Sequence, residues 1–220
     1  ENVHIVACGT AMHAGMVGKT AIEALARIPA LTDIASEFRY RDPILKPDDL
    51  VVIISQSGET LDTLAALKLA KQRGAKTLAV VNVVGSSIAR AADAVLYTYA
   101  GPEIAVASTK AYSVQMAVMY LFALRLALAK GVRDESEIRY LTGELMRAGE
   151  LIRPLLEECE NVKFLASRFM NSDHLFFMGR GMDYALSLEG SLKLKEISYV
   201  HSEAYAAGEL KHGTISLITK

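Results

Sequence analysis

Apolar runs of strand length alternate with helix-period segments from the start of the chain. Residues 3–8 read as a strand, 12–27 as a helix and 31–35 as a second strand. Residues 50–55 form the next strand, 61–73 a helix closed by Gly74, and 77–82 another strand. A short helix at 86–91, a strand at 94–99 and a long helix at 108–130 complete the series. The strand runs are apolar throughout, as when helices cover both faces of a parallel sheet. The pattern predicts an α/β fold with a doubly wound parallel sheet, whose ligand loops lie at the carboxyl ends of the strands.

Residues 134–167 are helical in period and rich in charge, with Pro154 as the one break, and read as a helical connector. The opening of the chain then recurs. His4-Ile-Val-Ala-Cys-Gly9-Thr-Ala-Met12 aligns without gaps on His174-Leu-Phe-Phe-Met-Gly179-Arg-Gly-Met182. Each is a strand, a glycine at its end and the beginning of a helix. Ile34-Ala-Ser36-Glu37-Phe38 is echoed by Val200-His-Ser202-Glu203-Ala204 at nearly the same offset, which favours duplication over chance. The division expected is a first domain at 1–133, the connector at 134–167 and the truncated beginning of a second domain at 168–220. Only a β-α-β unit fits in the second copy, and half a sheet cannot cover both faces or close its edge. With Glu1 where a starting Met would stand, the chain is expected to be a fragment of a longer protein. The fragment is expected to associate or be unstable because apolar faces and an edge strand are left open.

Composition removes several function classes. A chain of 220 residues can bury a substantial core, and 51% hydrophobic with 22% charged residues is ordinary for a globular protein. A net charge of −1 provides no basic field for nucleic acid or an anionic membrane. The most membrane-like stretch, 117–129, is interrupted by Arg125 and too short to span a bilayer, so it reads as a buried core helix. Cys8 and Cys159 are too few for a disulfide framework or a Cys-based zinc site, and read as reduced intracellular thiols. No signal peptide precedes the first strand, and the expected location is cytoplasmic.

The most informative loop is Ser55-Gln56-Ser57-Gly58-Glu59-Thr60, between a strand and a helix. Three hydroxyls, an amide and a flexible glycine meet there with the outward N–H groups of a helix start. Such a loop suits a phosphate held by neutral donors and the helix dipole. It has no Gly-Lys-Ser/Thr and is not a Walker loop. The same residues also serve a plain helix-capping turn, with Ser57 or Thr60 as the cap. Gly9 and Thr10 close the first strand, where glycine lets a ligand approach the backbone or merely makes a tight turn. Ser108 opens the long helix, as a cap or as a ligand contact.

On the helix read over 184–198, Glu189, Lys193 and Glu196 fall on one narrow stripe bordered by Ala185, Leu186, Leu192 and Ile197. A solvated ion pair would normally lie opposite the apolar face. Burial and mutual charge tune carboxylates and lysines for proton transfer, and they equally make a structural ion pair. His212-Gly213 reads as a loop imidazole available for acid–base work. His4, His13, His174 and His201 read as packing or surface residues. No His, Glu or Cys spacing matches a metal site.

The segments CGTA (8–11), ASEFRYR (35–41), SQSGET (55–60), VASTKA (106–111) and LEGSLKLKEISYVHSEAYAAGELKHG (188–213) together resemble the isomerase half of the glutamine:fructose-6-phosphate aminotransferase family. That half is built from two flavodoxin-like sugar isomerase (SIS) domains. The resemblance implies that Thr10, Ser55, Gln56, Ser57 and Thr60 contact the phosphate and sugar of fructose 6-phosphate, with the region of Val106 and Ser108 lining the sugar. Glu196 matches the residue that shuttles a proton between sugar carbons 1 and 2. His212 matches the histidine that opens the sugar ring and reaches the site of a neighbouring subunit, which implies a homodimer. Lys193 and Glu189 match supporting site residues. No cofactor and no metal are implied.

Ala11 departs from the family, which usually has serine there, and removes one hydroxyl from the ligand contacts. The family's glutaminase domain and its C-terminal tail with an imine-forming lysine are both missing from the chain. The parent is thus expected to be the aminotransferase, and the chain alone to be inactive in the overall reaction. Two other readings stay open: another SIS phosphosugar isomerase or deglycase, and a non-catalytic sugar-phosphate sensor. The Lys193, Glu196 and His212 set speaks against a pure sensor, which needs no base.

Overall fold

The computed structural model describes residues 2–218. Five strands, β1 (Val3–Ala7), β2 (Ala30–Ile34), β3 (Leu50–Ser55), β4 (Lys76–Val81) and β5 (Ala94–Tyr97), pair in parallel in the order β2-β1-β3-β4-β5. Helices α1 (Gly9–Ala21), α2 (Ala35–Phe38), α3 (Leu61–Gln72), α4 (Ser87–Ala91) and α5 (Lys110–Ala129) connect and cover them. On one face Ile5, Val52, Ile54 and Val80 pack with Ala21 of α1 and Met119 and Ala123 of α5. On the other, Val6, Val51, Ile53 and Val81 pack with Phe38, Ala66, Leu67 and Ile88. Successive residues of β3 therefore point into two different cores, which is why that run shows no polar alternation.

The predicted elements are present, and their ends shift for local reasons. The first helix begins at Gly9, three residues before the apolar period does, because Gly9 takes a left-handed turn (φ 54°) directly off β1. It passes into one π-helical turn, Ile22–Ala26, and stops at Arg27 in the left-handed region. The long helix read as starting at 108 starts at Lys110. With 20 residues it is long and apolar enough to cross a membrane by length and composition, a longer stretch than the 13 residues of 117–129 suggest. It nevertheless packs against α1, with Met119, Ala123, Leu124 and Ala127 buried.

Helix α6 (Glu135–Glu157) starts on a capping box, in which the Asp134 carboxylate accepts from the Ser136 and Glu137 amides and Glu137 accepts from the Asp134 amide. The break expected at Pro154 is not there. The helix runs through it to Glu157, and the bend falls at Glu158 before α7 (Cys159–Phe169). Proline removes one N–H from the ladder, and the carbonyl left without it belongs to exposed Glu150, where water can take its place. Neither α6 nor α7 buries a described residue. Beyond them β6 (His174–Gly179), α8 (Met182–Ser198) and β7 (His201–Ala206) form a parallel β-α-β unit with its own two-stranded sheet.

Contact between α1 and α5 depends on Gly18. A Cβ there would lie 2.6 Å from Met119 Cε and 3.0 Å from its Cβ and Cγ. Gly18→Val should therefore cost about 1–3 kcal/mol by overpacking, read as a lower denaturant midpoint. An unchanged midpoint would mean that the two helices separate without penalty.

Candidate functional site

The chain leaves β1 toward β2 on one side, then returns to β3 on the other. At such a switch point the loops after the two strands diverge and leave a crevice outside their carboxyl ends. Here that crevice is a cleft of about 230 Å³ lined by Cys8, Thr10 and Ala11 after β1, by Ser55, Gln56, Ser57, Thr60 and Thr63 around the next loop, and by Ser108 and Gln115.

The 55–60 loop is held from within and from behind. Ser55 Oγ accepts the Gly58 amide at 3.0 Å and lies 3.2 Å from Thr60 Oγ1, while Ser57 Oγ accepts the Glu59 amide at 3.2 Å. Gly58 is left-handed (φ 67°), and a Cβ on it would sit 2.0 Å from Ser86 Oγ, so no other residue fits. Behind the loop, the Ile88 amide donates to Gly58 O and the Ser87 amide to Glu59 Oε1. Hydrogen bonding from Ser87, its side chain first and its amide second, lowers the Glu59 pKa.

Thr60 occupies the N-cap of α3 but makes no side-chain capping bond. Ser57 Oγ does not cap it either, since it accepts from Glu59 before the helix begins. Helix first-turn amides without a side-chain cap are available to other acceptors. Asp62, in that first turn, would repel an anion, but its carboxylate is paired with Arg39 at 2.8 Å.

The stripe on α8 faces α1. Thr10 Oγ1 donates to Glu189 Oε1 at 3.0 Å and accepts from Lys193 Nζ at 3.1 Å. Lys193 Nζ lies 3.5 Å from Glu189 Oε1 and 2.5 Å from Glu196 Oε2. Glu189 is 5% exposed, and the second oxygen of its carboxylate lies 2.6 Å from His13 Nδ1. One ammonium thus serves two carboxylates and the hydroxyl that lines the cleft. A carboxylate positioned in such a cluster has the geometry to take up and return a proton.

Not every predicted residue joins this assembly. Ser108 lines the cleft without capping α5; its hydroxyl donates to Glu103 Oε2, which also accepts the Ala111 amide. Val106 is 89% exposed and outside the cleft lining. His212 lies exposed after a short 3-10 turn, Glu209–Lys211, with no side-chain bond to the cluster. Among the described residues no three His, Cys, Asp or Glu side chains gather as metal ligands.

A sequence profile of the SIS domain family matches residues 1–125 and 168–220. The chain belongs to the SIS domain family. It is 61% identical over 218 residues to a glutamine–fructose-6-phosphate aminotransferase (isomerizing) of Clostridium tetani, and 56% identical to that of Caldanaerobacter subterraneus. Each match spans 99% of this chain and 36% of the relative. The C-terminal domain of glucosamine-fructose-6-phosphate aminotransferase from Francisella tularensis superposes with a TM-score of 0.96 at 42% identity, over 100% of this chain and 62% of that one.

The SIS fold brings in residues that the pattern did not single out. His13, read as packing or surface, is three residues from Thr10 on α1, and that spacing was the available signal. Tyr112 and Gln115, also three apart, turn from α5 toward this region, and Tyr112 Oη and Gln115 Oε1 are buried without a partner among the described residues. The other histidines keep their simpler reading: His4 is buried 3.5 Å from Asp49, and His174 and His201 sit edge to face on the surface.

Burial, then the charge of Glu189, pushes the Tyr112 pKa from 10.0 up to about 12. An unfolded chain loses this proton first, so stability should fall as pH rises from 10.0 toward about 12. Tyr112→Phe removes an unpartnered buried hydroxyl. Denaturant unfolding should find it no less stable than the parent at pH 7, and less sensitive between those two values. An equal alkaline loss in the variant would refute the assignment.

Proposed function

We propose that this SIS chain is the sugar-processing portion of an isomerizing glutamine–fructose-6-phosphate aminotransferase. One observation carries the reading: Thr10 lines the phosphate cleft while its hydroxyl bonds both Glu189 and Lys193 of the acid–base cluster. A sugar whose phosphate sits on the 55–60 loop is thereby brought beside Glu196. The similarity to the Clostridium tetani and Caldanaerobacter proteins, which this chain spans over 36% of their length, supports the same substrate.

In this reading Ser55, Gln56, Ser57 and Thr60 hold the phosphate with neutral donors, and Ser108 borders the sugar. Ammonia condenses with the carbon 2 carbonyl of open-chain fructose 6-phosphate, losing water, to an imine. The Glu196 carboxylate then takes a proton from carbon 1 and delivers it to carbon 2, while the carbon 1 hydroxyl proton passes to the nitrogen. The resulting carbon 1 aldehyde closes the ring of glucosamine 6-phosphate. Lys193 pairs with Glu196 and positions it, Glu189 fixes Lys193, and His212 opens the ring in the site of a neighbouring subunit of a cytoplasmic homodimer. The glutaminase and the imine-forming lysine belong to the rest of the parent protein. Residues 1–133 act as one domain, 134–167 as connector and 168–220 as the opening of a second.

Two measurements test this. Titration of fructose 6-phosphate against the chain should show Thr60→Val weakening the complex by about 1–3 kcal/mol, the cost of an unpaired polar partner. An unaltered affinity would remove the phosphate from the 55–60 loop. In the full-length parent, Glu196→Gln keeps shape and hydrogen bonding but removes the base. Turnover should drop about 10²–10⁴-fold with little change in sugar-phosphate affinity. Normal turnover, whatever the stability, would end the proton-shuttle assignment.

A further inference from the structure

Glu189 needs a partner for each oxygen, because a buried carboxylate with an empty lone pair is costly. Thr10 Oγ1 serves Oε1 at 3.0 Å, and His13 Nδ1, at 2.6 Å, is the side chain that serves Oε2. Lys193 has three N–H donors, of which one goes to Glu196 Oε2 at 2.5 Å and one to Thr10 Oγ1 at 3.1 Å. Its nearest approach to Glu189 is 3.5 Å, to Oε1, the oxygen already bonded by Thr10.

From this geometry we infer that His13 is a positioning residue for proton transfer. By occupying Oε2 of Glu189 it leaves Lys193 to Glu196 and holds the base in line with the cleft. The inference rests on the reading of Glu196 as the proton shuttle.

His13 does not line the phosphate cleft. Its ring lines a separate crevice between α1, α8 and β7, together with Leu192, Lys195, Glu203 and Tyr205. It therefore acts through Glu189 and touches no reacting atom. Either protonation state of the imidazole can carry the proton on Nδ1 that Glu189 Oε2 requires. Without that donor, the emptied Oε2 attracts the Lys193 ammonium, which can meet it only by loosening its hold on Glu196.

Three replacements in the full-length parent separate this role from packing. His13→Leu removes the donor, His13→Asn keeps an N–H near the Nδ1 position, and His13→Gln moves it toward Nε2. In His13→Leu the kcat per folded molecule should fall by up to about 10²-fold, the scale of a displaced catalytic group, with KM for fructose 6-phosphate nearly unchanged. His13→Asn should recover most of the turnover and His13→Gln little of it, a contrast that stands even if the leucine variant does not fold. Equal turnover in the Asn and Gln variants, or a raised KM at normal kcat, would overturn the role. Glu196→Gln measured alongside distinguishes the two levels. Normal turnover there removes the shuttle reading and the role of His13 with it. A loss in Glu196→Gln together with normal turnover in all three His13 variants overturns the positioning role alone.

Discussion

The chain reverses direction across its sheet between β1 and β3, and the site depends on that single change. Parallel strands need helical crossovers, and here successive crossovers leave on opposite sides of β1. The loops after β1 and β3 therefore have no element between them. Thr10 and the 55–60 loop meet across the gap, and Thr60 and Thr63, at the start of α3, line it. The buried strands beneath make this geometry stiff, since Ile53 and Ile54 are locked in two separate cores. A ligand in the cleft thus meets donors whose spacing is set by the sheet.

The second constraint is electrostatic. Glu189 would pay heavily for leaving water alone, and an ion pair of that kind is tolerable only with its remaining lone pairs bonded. Its partners come from two elements far apart in sequence: Thr10 and His13 on α1, and Lys193 on its own helix α8. The same bonds that satisfy the carboxylate therefore clamp α8 to α1 and fix the distance from Glu196 to the cleft. Stability and chemistry share one set of contacts here, so neither can be altered separately at Glu189.

Much of this was legible in the residues. Apolar runs without alternation gave away the doubly wound sheet, and the i, i+4, i+7 stripe of Glu189, Lys193 and Glu196 foretold the ion-pair cluster now seen. The contact of His13 with Glu189 was not legible, because one histidine on an apolar helix carries no local mark of the glutamate 176 positions away that it meets. Helix ends were misjudged where backbone conformation decides them: Gly9 begins α1 by a left-handed turn, and exposure lets α6 continue through Pro154. The repeated strand–glycine–helix pattern was visible, but its glycines serve different ends. Gly9 has open space around it and supplies a positive φ, whereas a Cβ on Gly179 would lie 2.1 Å from the Asp183 carbonyl oxygen.

That difference bears on how the two units divide the work. After β1 the helix starts at once, so Thr10 on its first turn lies over the cleft. After β6 the chain spends Arg180 and Gly181 before α8 begins, and the functional side chains lie well along the helix instead. One unit thus lines the cleft with neutral hydroxyls and an amide, and the other brings the charged side chains. Lys193 would be a strong competitor for a phosphate if it were free, since opposite charges about 4 Å apart at a protein surface attract by about 4 kcal/mol. Held by Glu196 and steadied by Glu189, it is already engaged on the far side of Thr10. An anion entering the cleft would therefore meet the hydroxyls of the 55–60 loop and not this ammonium, which stays with its two carboxylates.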